Sequence, residues 1–338
     1  MRGMKLDTHV AGRAPSSVSA ELLMPDRSLP LVIRPHQAAL NLIEWAGDNR
    51  EYVEAALARH GALLFRGFGV GSAAQFGQFV KALSGDLIEY HERSSPRSEV
   101  GDRVYTSTNY PARQRIFPHN EQSYNLLFPM KIVFYCQTPA AQGGETPIGD
   151  TRKVYQRLAP HIRDRFMEKG YMYVRNFGDG MGLPWQDVFL TSDRAEVEEY
   201  CRGAGIECEW KTGGRLKTRQ VRRVAARHPR TGEPAWFNHA TFFHVSTLEP
   251  ALREALLGAF AEDELPNNTC YGDGSRIEPA VMDELRQAYW QEMVYFPSQA
   301  EDILVLDNML ASHGRQPFSG PRKVLAVMAE PFSWNDIE

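Results

Sequence analysis

Lys131-Ile132-Val133-Phe134-Tyr135-Cys136-Gln137 is a short apolar run closed off two residues later by Pro139, and such a run reads as a β-strand. Runs of the same kind lie on both sides of it, at Tyr171 to Phe177, Ile206 to Lys211, Ala235 to Asn238, Asp302 to Asp307 and Lys323 to Ala329, with Pro and Gly in between. Ala62-Leu63-Leu64-Phe65-Arg66-Gly67-Phe68, bounded by glycines, reads as a buried strand. Helical spacing appears over residues 49–60 before Gly61, after a capping Ser72, and at Thr151 to Leu158, Arg194 to Arg202, Pro250 to Phe260 and Pro279 to Trp290. Many short strands with interspersed helices predict a mainly β fold, a sandwich or barrel with helical inserts on its outside. Neither an internal repeat nor a low-complexity linker divides the chain, so residues 29–338 are expected to form a single domain. The polar stretch 1–28 lacks a sustained period and is expected to be a flexible arm.

Composition narrows the class further. The 338 residues are 43% hydrophobic and 24% charged, ordinary for a globular protein with a sizeable core. A net charge of −4 gives no reason to expect a protein that coats nucleic acid or an anionic membrane. No apolar run has the length of a signal-peptide core or a membrane span. Cys136, Cys201, Cys208 and Cys270 form no C-x-x-C pair, which excludes a zinc ribbon and predicts reduced thiols in the cytoplasm.

The chemistry concentrates in Phe117-Pro118-His119-Asn120-Glu121-Gln122-Ser123-Tyr124. In an extended chain residues i and i+2 share a face, so His119 and Glu121 would present an imidazole nitrogen and a carboxylate oxygen to one metal ion. H-x-E by itself arises by chance in many proteins. A third ligand is offered by His313 in Asp307-Asn308-Met309-Leu310-Ala311-Ser312-His313-Gly314-Arg315, where a strand runs into a polar turn. Two histidines and one carboxylate on one face of a metal leave positions open for a co-substrate and O2, as in iron(II) oxygenases. His9, His36, His60, His91, His161 and His228 show no ligand spacing.

Further features strengthen that reading. Gly143-Gly144-Glu145-Thr146-Pro147 places a hydroxyl 25 residues after Glu121, and Arg322 and Lys323 follow His313 by 9 and 10 residues. A 2-oxoglutarate chelating the metal needs a cation and a hydroxyl donor for its distal carboxylate. Taken in order with Gly61 to Phe68 and Trp236-Phe237-Asn238, these segments resemble the iron(II)/2-oxoglutarate-dependent oxygenases of the taurine dioxygenase type (TauD/TfdA), over roughly residues 60 to 331. Within that family the chain is similar to the subgroup that looks like the syringomycin-pathway aspartyl hydroxylase.

The resemblance implies a double-stranded β-helix (jelly roll) core. It implies His119, Glu121 and His313 as ligands of Fe(II), and Thr146 with a basic residue near 322 on 2-oxoglutarate. Arg322 and Lys323 would lie on opposite strand faces, so one alone can look inward. The planar fork of arginine favours Arg322, and the position of the anchor in relatives slightly favours Lys323. Glu121 speaks for hydroxylation, since halogenating relatives put a small residue there. The expected substrate is amino-acid-like, free or tethered to a carrier protein, and the products are the hydroxylated substrate, succinate and CO2. Asn109, Arg113 and Arg115, from a loop just ahead of the metal pair, are candidate substrate contacts, as is Arg315.

Bland alternatives stand beside each of these. The basic stretch Lys211 to Arg227 suits a solvated hairpin as well as a dock for an acidic carrier. A zinc or manganese jelly roll catalysing hydrolysis or isomerisation would also use the triad, but would have no role for Thr146 or the basic pair. A carrier-binding module without oxygenase activity would use neither.

Overall fold

Side chains alternate strictly along the strand Leu127–Thr138 in the computed structural model, which describes residues 14–337 apart from 86, 90, 91, 93, 95, 96, 109, 179 and 181. Ile132, Phe134 and Cys136 enter one apolar cluster, while Val133 and Tyr135 enter another on the opposite face. The strand Ile303–Asp307 divides the same way, with Leu304 and Leu306 on one side and Ile303 and Val305 on the other. So does Lys323–Ser333, with Val324, Ala326 and Met328 against Leu325, Val327 and Ala329. A sheet covered on both faces has no polar side, which is why these strands read as continuous apolar runs.

These three strands form the centre of an eight-stranded sheet in the order Val18–Leu22, Leu31–Pro35, Ala62–Phe65, Ile303–Asp307, Leu127–Thr138, Lys323–Ser333, Val104–Thr106, Glu99–Gly101. One face is covered by the helices Leu42–Asp48, Arg50–His60 and Ala73–Ser84 through Trp45, Val53, Leu57, Phe76, Phe79 and Leu83. The other packs on a four-stranded sheet, Met293–Val294, Ile148–Asp150, Ala311–Arg315, Ile116–His119, through Ile148, Ala311 and Val294. Burying each such side chain contributes on the order of 1.5–3 kcal/mol.

Between Asp150 and Met293 the chain builds a third sheet, Ile206–Trp210, Leu216–Arg222, Tyr171–Phe177, Asn267–Tyr271, packed with Thr151–Arg157, Pro160–Lys169 and Pro279–Glu292 around Phe166, Trp236 and Leu285. The helices Arg50–His60, closed by Gly61 at φ +74°, and Ala73–Ser84, capped by Ser72 on Gln75 N–H, match the sequence reading.

The expected arm over residues 1–28 is corrected in part. Val18–Leu22 pairs antiparallel with Leu31–Pro35 from Val18 opposite Pro35 to Leu22 opposite Leu31, and Val18 is buried in the core. The pairing satisfies backbone groups that a polar composition alone would leave to water. Residues 1–13 lie outside the described residues. No helix among the described residues is long and apolar enough to cross a membrane.

Candidate metal centre

Two neighbouring strands of the four-stranded sheet bring the histidines together. His119 ends Ile116–His119, His313 is central in Ala311–Arg315, and the two are opposite each other in the antiparallel register. Their ring centroids are 4.5 Å apart. Gly314 permits the approach, since a Cβ there would meet the Ile116 carbonyl oxygen at 2.7 Å.

Glu121 arrives differently from the expected extended i, i+2 pair. Residues 121–124 form a turn, with Gln122 at φ +52°, and the turn swings the carboxylate back over the histidines. Asn308 holds this turn. Its Oδ1 accepts from Glu121 N–H at 2.7 Å, and its Nδ2 donates to the carbonyls of Glu121 and Pro129, each at 2.8 Å. Asn120 Nδ2 returns the contact to the Asn308 carbonyl at 2.7 Å. The two segments quoted from the sequence are thus bonded to one another at the ligand turn.

His119, Glu121 and His313 each offer one donor atom, and all these atoms lie within 4.8 Å of one another. His119 Nδ1 lies 2.9 Å from the Phe117 carbonyl oxygen, so Nδ1 carries the proton and Nε2 keeps its lone pair. Burial, reinforced by neighbouring His313, pushes the His119 imidazole down to about 3, so the ring is neutral. Burial alone would raise the Glu121 carboxyl, but Arg97 and the two histidines outweigh it and hold the group well below the usual range. Two neutral imidazoles and one carboxylate suit a divalent first-row metal. Buried His313 Nδ1 has no hydrogen-bond partner, and the ring is held instead by packing against His119 and Phe134.

Beside the triad lies a small cavity of about 50 Å³, lined among others by Arg97, Thr108, Phe134, Thr146, Arg315, Arg322 and both histidines. Arg322 Nε donates to the Gly144 carbonyl at 3.0 Å, and its Nη2 lies 3.4 Å from Thr146 Oγ1. Burial, with Arg315 nearby, lowers the Arg322 guanidinium to about 10. Gly144, at φ +72°, leaves room for this side chain, because a Cβ would meet Arg322 Cδ at 3.0 Å. The expected Thr146 and Arg322 therefore meet in one cavity with both histidines of the triad. Lys323 does not join them: it is exposed on the other strand face.

The expected substrate contacts fare differently. Arg113 and Arg115 are exposed and outside the cavity, Arg115 lying over the Trp290 ring and donating to Gln316. Arg315 lines the cavity, yet it gives its Nη atoms to the carbonyls of Tyr110, Pro111 and Gln114 and so pins that loop. Asn109 lies outside the described residues.

Three site residues escaped the sequence. Arg97 places Nη2 at 2.8 Å from Glu121 Oε2, and nothing in the polar segment around it marked this out. The ring of Phe242 stands 4.5 Å from that of His119, and His239 is 5.3 Å away with Nδ1 2.7 Å from Ser123 Oγ. The sequence pattern points to Trp236-Phe237-Asn238, and the residues just beyond it, His239 and Phe242, stand at the site. A larger groove, about 770 Å³ between Phe166–Gly170 and Val221–Arg227, contains no metal-ligating cluster among the described residues.

The family model for the taurine catabolism dioxygenase TauD, TfdA family matches residues 28–328. The chain belongs to this family. It is an iron- and 2-oxoglutarate-dependent dioxygenase, which sets aside the hydrolase, isomerase and non-catalytic readings. Dapdiamide synthesis protein DdaC of Enterobacter agglomerans is 41% identical over 279 residues, 82% of this chain and 85% of that one. A clavaminate synthase-like protein of Arabidopsis thaliana is 30% identical over 330 residues, covering 93% and 92%. Among solved structures, PvcB of Pseudomonas aeruginosa superposes with a TM-score of 0.58 at 14% identity, covering 96% and 94% of the two chains. A taurine dioxygenase of Burkholderia xenovorans gives 0.53 at 14%, covering 94% and 92%. At those identities the likeness speaks for the sheet-rich fold.

Proposed function

We propose that the chain hydroxylates an amino-acid-like substrate, free or tethered to a carrier protein, with His119, Glu121 and His313 holding iron(II) and Thr146 with Arg322 receiving the distal carboxylate of 2-oxoglutarate. The observation that carries this is the convergence of three donor atoms within 4.8 Å beside a cavity lined by Arg322 and Thr146. We read residues 29–338 as one domain whose eight- and four-stranded sheets, sharing one apolar core, make a jelly roll. The free thiols of Cys136, Cys201, Cys208 and Cys270 support a cytoplasmic setting.

Iron(II) and 2-oxoglutarate, when bound, supply O2 activation, so that substrate C–H, O2 and 2-oxoglutarate become C–OH, succinate and CO2. The chain supplies placement and dryness. The Phe117 carbonyl fixes the His119 tautomer, and Asn308 fixes the Glu121 turn. Phe242 against His119 and Phe134 against His313, the latter at 4.9 Å, exclude water from the ligand side. Arg322 offers a fork that matches a carboxylate. The 41% identity with a protein named for dapdiamide synthesis supports a natural-product substrate.

The test is turnover of anaerobically loaded protein, exposed to O2 with a panel of free and carrier-tethered amino acids. The expected result is a product one oxygen atom heavier, with succinate in equal amount. Turnover confined to long-chain lipids or nucleic acid would overturn the substrate class.

A further inference from the structure

Two thiols outside the metal centre face each other across a tight turn. Cys201 lies in the helix Arg194–Ala204 and is buried with Val197, Ala204, Ile206 and Leu216. Gly205, at φ +64°, ends that helix and sends the chain directly into the strand Ile206–Trp210. Alternate residues of a strand share a face, and here Ile206, Cys208 and Trp210 all pack on the cluster that holds Cys201, while Glu207 and Glu209 are exposed. Cys208 therefore looks back at the helix, with its thiol in hydrogen-bonding contact with that of Cys201. Both thiols are free, and Cys208 is half-buried.

The helix end that carries Cys201 is tied to the ligand turn on both sides of it. Arg222 Nη2 donates to the Ala204 carbonyl at 2.8 Å, and Arg222 Nε donates to the Tyr124 carbonyl at 2.8 Å. The Tyr200 hydroxyl donates to Glu92 Oε1 at 3.0 Å, and the Glu92 carbonyl accepts from the Tyr124 hydroxyl at 2.8 Å. Tyr124 closes the turn 121–124 that presents Glu121. Tyr200 and Ala204 thus reach the same tyrosine, each through one intermediary.

We propose that Cys201 and Cys208 are a redox modification site, a dithiol that exchanges with a low-molecular-weight disulfide such as oxidised glutathione, and that closing it loosens the hold on Glu121. The second half rests on the reading of Glu121 as a metal ligand. Burial pushes the Cys201 thiol up to about 12, so the half-buried Cys208 opens the exchange. Its thiolate attacks one sulfur of the disulfide, which releases one glutathione thiolate and leaves a mixed disulfide on Cys208. Cys201, already in contact, gives up its proton and attacks Cys208 Sγ, releasing the second glutathione. Two protein thiols and one oxidised glutathione become one protein disulfide and two reduced glutathiones. The covalent bond draws the two sulfurs closer than they stand as thiols, so the last helical turn shifts against the strand, and its bonds to Arg222 and Glu92 shift with it. Excess reduced glutathione runs the exchange backwards, as a transient disulfide in a reducing compartment requires.

The experiment incubates metal-free full-length protein with oxidised glutathione, maps the products by intact and peptide mass, and titrates them with Mn(II) by calorimetry. Wild type should become two hydrogens lighter, with Cys201 and Cys208 joined. Its Mn(II) binding should weaken by about 10- to 100-fold, as loss of support around a ligand does, and should recover on reduction. Cys201→Ser should stop at the mixed disulfide on Cys208. Cys208→Ser should form no bond at Cys201 and keep its Mn(II) affinity after the same treatment. An unreacted Cys208, or an adduct on it that never resolves to the internal bond in wild type, would overturn the pair. An internal bond that leaves Mn(II) affinity unchanged, or an equal loss of affinity in treated Cys208→Ser, would overturn its link to the ligand turn. Glu121→Ala separates the two levels: Mn(II) binding as tight as wild type there would overturn the ligand reading, whatever the thiols do.

Discussion

Asn308 grips the main chain of Glu121 from both sides, accepting from its N–H at 2.7 Å and donating to its carbonyl at 2.8 Å. The two residues are 187 apart in sequence, so this pair fixes the carboxylate end of the triad against the segment that leads to His313. Both residues are buried, and truncation would leave several main-chain groups without partners. Asn308→Ala should therefore lower stability by about 2–4 kcal/mol in urea unfolding and weaken Fe(II) binding more than tenfold in equilibrium dialysis. A variant that kept wild-type iron affinity would show that the turn holds its shape without Asn308.

Arg322 and Lys323 are adjacent in sequence and differ entirely in setting. Arg322→Ala should raise the KM for 2-oxoglutarate by about 10- to 100-fold, corresponding to the loss of a charge-assisted bond of about 1.5–3 kcal/mol. Lys323→Ala should change it by less than about twofold, since the side chain is exposed. Steady-state kinetics with varied 2-oxoglutarate would decide, and the reverse ranking would move the anchor to Lys323.

Buried histidines give the metal-free protein a defined acid sensitivity. Burial lowers His119 to about 3 and His244 to about 4, and it holds His239 well below its ordinary value. Between about pH 6.5 and pH 4 the unfolded chain therefore binds protons that the folded chain does not, so stability falls as pH falls through this window. Thermal unfolding of the metal-free protein should show Tm dropping steadily from about pH 6.5 downward. His60 is lowered by burial as well, and His244→Gln, which removes one of these protons, should flatten that slope. A Tm that stayed level down to pH 4 would mean that the folded protein also takes up these protons.

Legibility in the sequence followed the reach of the interactions. Strands apolar on both faces, such as Leu127–Thr138, were plain from local composition, as was the helix closed by Gly61. Leu216–Arg222 was hidden by its basic residues, because their partners lie elsewhere: Lys217 meets Asp263, Arg219 meets Glu209, and Arg222 Nε donates to the Tyr124 carbonyl. Lys131 opens an apolar run yet is 1% exposed, held by Glu54 and Glu330 from distant elements. At the site, the candidate triad and Thr146, which the structure brings near one another, were legible because residue type and spacing carry the chemistry. The turn at Glu121 and the approach of Arg97 and His239 were not, since they depend on long-range bonds that no local pattern encodes.

The central claim is that His119, Glu121 and His313 hold the iron that drives 2-oxoglutarate turnover. The most direct measurement is anaerobic equilibrium dialysis of Fe(II), followed by succinate quantification on admitting O2 and substrate, for wild type and for His119→Ala, Glu121→Ala and His313→Ala. The account predicts about one tightly held iron in the wild type, iron loss in every variant, and no substrate-dependent succinate from any of them. Full iron occupancy with undiminished succinate in any one variant would contradict it.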